Sequence, residues 1–110
     1  MDSLWEKIKQ SLIDSASVAA EKAEYLGKIG RARLDIAETR HTIRDRFADL
    51  GGLVYGNLKD EAGSFDPKGN ENVKQLIQTI DGLEDELSKR EETLNRLRTE
   101  QDDKEEAETA

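Results

Sequence analysis

The sequence predicts an all-α fold, in which one long helix is followed by a shorter helix that packs against it in the antiparallel direction. Charged residues make up 38% of the chain and apolar residues 35%, a balance that suits long helices burying one narrow stripe each. Pro67 is the only proline, so most of the chain can form uninterrupted helix. Apolar residues recur in steps of three and four rather than in alternation, which favours helix over strand.

The first helix is predicted over residues 3–62, and its central part carries a heptad pattern. The apolar positions of this seam are Ile29, Ile36, Ile43, Phe47, Leu50 and Val54, preceded by Leu26. Arg33 and Arg40 fall at the two remaining core positions. The phase continues through Gly51 and Gly52, so we expect helix there despite a propensity cost of about 1 kcal/mol per glycine.

Small residues follow one line along this helix. Ala48, Gly52 and Gly56 are spaced four apart, and such a line lets a neighbouring helix backbone approach closely. A phosphate-binding loop would need a preceding strand and a following lysine with serine or threonine, and the sequence has neither here. Close helix packing is therefore the favoured interpretation of the glycines, and a hinge is the alternative.

Residues 1–25 are predicted to extend the first helix as an amphipathic segment. The residues expected to form an oligomer or partner interface are Leu4, Trp5, Ile8, Leu12, Ala16, Ala19 and Ala23. A return helix of about 38 residues reaches back only to about residue 25 at the rise of an α-helix, so it leaves this stripe uncovered. A second copy is the favoured occupant; a different protein, or a membrane surface meeting residues 1–13, remains open. Residues 1–24 contain five acids and three lysines, which weakens the membrane interpretation.

The second helix is predicted to follow a tip loop at residues 63–66, with Asp66 as its N-cap and Pro67 at its first position. Arg90 interrupts its apolar seam. The apolar seam positions are Val73, Leu76, Ile80, Leu83, Leu87, Leu94 and Leu97. Residues 26–104 thus form an antiparallel helical hairpin, and residues 105–110 are expected to be a disordered acidic tail.

Composition argues against several functions. The net charge is −8 and the pI about 4.7, so a nucleic-acid backbone would be repelled. The chain has no cysteine and one histidine, His41, which excludes a thiolate zinc site and a cysteine nucleophile and makes His41 a poor metal site. We expect no metal, no cofactor and no enzymatic activity. The three seam arginines form either an anion-binding or partner-specifying polar layer, or long stems over apolar surface with their charged ends in water.

The chain resembles small bacterial coiled-coil proteins in its motifs LWEKIK, KIGRARLDI and DLGGLVYG, which are followed by a helix that opens with Asp-Pro. The resemblance covers nearly the whole chain. It implies no established activity and no site residues. The amphipathic start followed by a helical hairpin is also similar, more loosely, to phage-shock-type membrane-stress proteins, which are longer and contain more helices.

The pattern as a whole indicates a structural or scaffolding protein that acts through helix–helix contacts. We expect a homodimer or a higher homo-oligomer in which the hairpins form a helical bundle. A peripheral membrane protein anchored by residues 1–13 is the alternative. The charges at Glu6, Lys7 and Lys9 interrupt any secretory signal, and no stretch has the length and apolarity of a membrane span, so a cytoplasmic location is expected.

Overall fold

Two helices packed side by side make up the fold. The computed structural model describes residues 2–60 and 65–109, and side chains within 3–60 and 65–107. Helix α1 spans Asp2–Lys59 and helix α2 spans Glu71–Thr109, with no strand in these ranges. The molecule measures 93 × 21 × 15 Å. The all-α antiparallel hairpin predicted from the sequence is confirmed.

Helix α1 is continuous through its glycines, as the uninterrupted heptad phase predicted. Gly51, Gly52 and Gly56 all have helical backbone. Two features offset the low helix propensity of glycine. They are the hydrogen-bonded turns on either side and the partial burial of Leu50 and Val54. The helix ends at Lys59, within the predicted 3–62; the last predicted residues, 61–62, and the first half of the tip loop, 63–64, lie outside the described residues.

The start of α2 differs from the prediction. Asp66 does not cap the helix; its carbonyl accepts hydrogen bonds from the amides of Gly69 (3.2 Å) and Asn70 (3.1 Å), and its Oδ1 accepts one from Lys68 (3.1 Å). These bonds close a turn around Pro67. The N-cap is Asn70, whose Oδ1 accepts a hydrogen bond from the amide of Val73 (3.1 Å).

Helix α2 presents its predicted seam to α1. Val73 and Ile80 are 4% exposed, and the other predicted seam positions are half-buried, namely Leu76, Leu83, Leu87, Leu94 and Leu97, with Arg90 among them. Helix α2 continues past residue 104 to Thr109, so residues 105–109 are helical, where the sequence had suggested a disordered tail.

The seam of α1 is rotated by one residue from the predicted one. Ile29 and Ile36 are buried and Ile43, Leu50 and Val54 half-buried, as the pattern indicated, but Phe47 is 51% exposed and Leu26 64% exposed. The intervening positions are instead taken by Ala32, Thr39, Arg46 and Leu53.

The rotation lowers the number of arginines in the seam of α1 from two to one, since Arg46 is the only arginine in the observed seam. The predicted seam would have placed Arg33 and Arg40 between the helices, and removing charged groups from water is costly unless each is fully paired. In the observed seam both arginines are exposed, and Ala32 and Thr39 are buried in their place. Thr39 satisfies its hydroxyl by donating to the carbonyl of Asp35 at 2.9 Å, so its burial leaves no unpaired polar group.

Candidate interaction surface

The first part of α1 extends beyond α2. The ion pair between Lys104 and Glu21 (3.6 Å) lies near the end of the contact between the helices. A second ion pair joins Arg90 to Asp35 at 3.2 Å. Glu21 precedes Asp35 by two heptads and Lys104 follows Arg90 by two heptads, so the helices keep one register between the two ion pairs. The contact thus reaches further along α1 than the predicted limit near residue 25, and residues 3–20 remain exposed.

The exposed part of α1 carries half of the large apolar side chains that are exposed in the described residues. Leu4, Trp5 and Leu12 are 65%, 64% and 66% exposed, and Ile8 is 46% exposed. Ala16, Ala19 and Ala23 continue the same helix face and are also exposed. These seven residues, the N-terminal stripe, are the ones that the sequence predicted as an interface, and the structure places them along one side of α1.

Only part of the N-terminal stripe lies away from the side of α1 that packs against α2. That side is marked by Tyr25 and Ile29. Heptad steps back from Tyr25 lead through Val18 and Ser11 to Leu4, and those from Ile29 lead to Ile8. The rest of the stripe lies outside these two lines, so a longer α2 in the same register would still leave exposed Trp5, Leu12, Ala16, Ala19 and Ala23.

The stripe continues along the exposed side of α1. Leu26 is 64% exposed and Leu34 is 53% exposed, and a Cβ placed on Gly30 would have no described atom within 4 Å. Towards the far end this side carries Ala48, Gly52 and Tyr55, all exposed. We call this side of α1, from Leu4 to Gly56, the outer face.

The predicted close packing at Ala48, Gly52 and Gly56 is not found within the chain. Ala48 and Gly52 are exposed and Gly56 is half-buried. A Cβ added to Gly52 or Gly56 would have no described atom within 4 Å. Helix α2 therefore does not use this strip, because it packs on the neighbouring side of α1.

A polar cluster lies in the middle of the hairpin. Arg90 of α2 pairs with Asp35 of α1 at 3.2 Å and donates hydrogen bonds from Nε (3.2 Å) and Nη2 to Glu86 Oε1. The hydrogen bond to Glu86 is the main reason that the pKa of Arg90 is raised. Asp35 also pairs with Arg31 at 3.4 Å. Of the three predicted seam arginines, Arg90 alone joins the two helices through a half-buried position.

The other two predicted arginines lie at the edge of the hairpin. Arg40 pairs with Glu91 across the helices at 3.2 Å, with 56% and 44% of the two side chains exposed, and Arg33 is exposed. The polar seam residue that the sequence pattern missed is Arg46. Its Nε is buried and 3.3 Å from Asp49, without hydrogen-bond geometry. Arg46 follows Ala32 and Thr39 at steps of seven residues, and this spacing is the signal that could have predicted its position in the seam.

The structure shows no centre for metal chemistry in residues 2–60 and 65–109, where no group of three His, Asp or Glu side chains could hold an ion. His41 is exposed and lies 3.6 Å from Asp45, one turn along the same helix. Neither α1 nor α2, over their described lengths, has an apolar segment that could cross a membrane.

Comparison with known proteins gave no match. No protein-family model, curated protein or solved structure is significantly similar to this chain. A proposal about its function therefore rests on its own surfaces, among them the outer face of α1 with its exposed apolar side chains.

Proposed function

We propose that this chain is a structural coiled-coil protein of the cytoplasm, without catalytic activity, that assembles with copies of itself through the N-terminal stripe. The observation that carries the proposal is the exposure of Leu4, Trp5, Ile8 and Leu12 in the part of α1 that extends beyond α2. Contiguous exposed apolar surface of this kind marks an interaction site in soluble proteins.

The length of the uncovered helix supports a helical partner. Residues 3–20 extend for about 27 Å at 1.5 Å per residue. A lone helix of this length in water is only marginally stable, and packing of its apolar side supplies most helical stability in proteins. Ala16, Ala19 and Ala23 make the end of the stripe nearest the hairpin flat and narrow, which suits the close approach of a second helix.

Self-association is favoured over a lipid surface by charge and by side-chain size. Residues 1–24 carry five acids against three lysines, and a membrane-surface helix is typically rich in Lys and Arg on its polar side. The exposed Trp5 is the observation that favours the membrane alternative, because Trp side chains prefer the membrane–water interface. Three alanines contribute little apolar area to lipid contact, whereas small residues are useful between helices.

The test is the solution mass of the full chain and of two matched double variants, measured by light scattering. Leu4→Glu with Ile8→Glu adds two charges within the stripe. Ser3→Glu with Ser17→Glu adds the same charge to the same segment, at exposed positions on the opposite side of the helix.

The full chain and the serine variant should contain at least two copies of the 12.4 kDa chain, and the Leu4/Ile8 variant should be a monomer with unchanged helix content. A monomeric full chain would contradict self-association. Flotation of that monomer with anionic vesicles, lost in the Leu4/Ile8 variant, would instead establish the membrane role.

A further inference from the structure

The outer face of α1 carries two series of residues that match in spacing and differ in size. Leu4, Ile8 and Leu12 are large and four apart; Ala48, Gly52 and Gly56 are small and four apart. The two series lie at equal distances on either side of Gly30. Leu12 and Ala48 are each five full turns of a 3.6-residue helix from Gly30, so all three lie on one line along α1.

We infer that a second copy of this chain docks on the outer face in the antiparallel direction, with a two-fold axis at Gly30. Leu12 of one copy then lies over Ala48 of the other and Ile8 lies near Gly52, while Leu4 and Gly56 lie at the edges of the contact, and the reverse holds for the second copy. This inference rests on the proposed self-association and specifies its orientation, its register and the surface that receives the N-terminal stripe. An interface formed by the same patch on both copies is the usual arrangement in homodimers.

Side-chain size favours this orientation over a parallel one. Described atoms leave the space around Gly30, Gly52 and Gly56 open to at least 4 Å from an added Cβ, so large side chains of a second helix can enter there. Facing large against small residues fills an interface evenly. A parallel pair would face Leu12 against Leu12 and Gly52 against Gly52, which leaves voids at one end of the interface.

The rest of the outer face is consistent with the same two-fold axis. The register places Leu26 opposite Leu34, Ala23 opposite Ala37, and Trp5 opposite Tyr55. Leu26, Leu34, Trp5 and Tyr55 are all more than half exposed in the single chain, so each gains a covered apolar partner. Helix α2 does not compete for this space, because the side of α1 that it covers contains Ile29, Ala32 and Ile36.

Charge along the molecule also favours the antiparallel pair. Residues 100–110 of α2 contain six acids and one lysine, and the pair of Lys104 with Glu21 places this end of α2 beside the early part of α1. Residues 28–46 contain six basic residues and three acids. Since Glu21 and Arg40 lie at similar distances on either side of Gly30, the antiparallel pair sets residues 100–110 of each copy at the level of Arg40 and Arg44 of the other and keeps the two acidic ends apart. A parallel pair would align the acidic ends of both copies.

Cysteine cross-linking tests the register, because the chain has no cysteine of its own. Three full-length single variants are used: Gly30→Cys, Leu12→Cys and Ala48→Cys. All three positions are exposed in the single chain, and an added Cβ at Gly30 has open space, so the hairpin tolerates the changes. The probe is mild oxidation followed by denaturing electrophoresis, since a disulfide forms only between close Cα atoms.

The antiparallel register predicts a covalent dimer from Gly30→Cys alone and from a mixture of Leu12→Cys with Ala48→Cys. It predicts none from Leu12→Cys alone or from Ala48→Cys alone. Covalent dimers from every single variant would show a parallel pair and overturn the inference. A dimer by light scattering that forms no cross-link at Gly30 would overturn the register while leaving self-association intact. A monomer by light scattering would reject both proposals together.

Discussion

The two isoleucines at positions 77 and 80 of α2 offer a matched test of the hairpin seam. Ile80 is 4% exposed and Ile77 is 45% exposed, on the same helix and less than one turn apart. Replacing either by Ala removes three carbon atoms, which cost about 0.8 kcal/mol each when fully buried. Weighted by the hidden fraction of each side chain, the expected loss is about 2.3 kcal/mol for Ile80→Ala and about 1.3 kcal/mol for Ile77→Ala. Any cavity that remains beside Ile80 widens this difference.

The assay is urea unfolding followed by the helical circular dichroism signal. Both variants and the parent chain are compared at one protein concentration, because self-association makes apparent stability depend on concentration. Ile80→Ala should lose about 1 kcal/mol more than Ile77→Ala, since only Ile80 lies in the seam. Equal losses, or a larger loss for Ile77→Ala, would refute the described side of α2 as the one that meets α1.

Three further changes test local features by the same unfolding assay. Asn70→Ala should cost about 1 kcal/mol because it removes the N-cap of α2, and Asn72→Ala, an exposed change in the first turn, should cost clearly less; similar losses would contradict the cap assignment. Gly82→Ala should add about 1 kcal/mol, because alanine is the better helix former and an added Cβ meets no described atom within 4 Å; a loss would show an unseen neighbour. Thr39→Val should leave stability equal or raise it by up to about 1 kcal/mol, because the backbone still bonds the Asp35 carbonyl and a buried hydroxyl becomes a methyl group; a marked loss would mean that the Thr39 hydroxyl has a second role.

The fold could be predicted because its signal is repeated many times along the chain. The seam of α2 recurs through four heptads from Val73 to Leu97, with Arg90 as its one interruption, so one misjudged residue could not change the assignment. The continuous helix through Gly51 and Gly52 followed from the same redundancy. Where the signal depends on a single residue, as at the Asp66 turn and the Asn70 cap, sequence reasoning chose the wrong one of two good N-cap residues.

The side of α1 that meets α2 could not be decided from hydrophobicity alone. Ile29, Ile36, Ile43 and Leu50 fit two neighbouring heptad registers equally well. The more apolar register contains Phe47, yet the chain uses the other one, which keeps Arg33 and Arg40 in water and brings Asp35 to Arg90. Pairing between residues of the two helices decided which heptad register of α1 meets α2. The pattern of apolar residues along one helix does not contain that information.

Fluorescence of Trp5 measures most directly whether the N-terminal stripe is covered by a second copy. Trp5 is the only tryptophan and is 64% exposed in the single chain. We predict that its emission is shifted to shorter wavelength and protected from acrylamide at high protein concentration. On dilution, protection should be lost together with the dimer mass. The Leu4→Glu, Ile8→Glu variant should show an unprotected Trp5 throughout. An unprotected Trp5 in the full chain at every concentration would contradict the account.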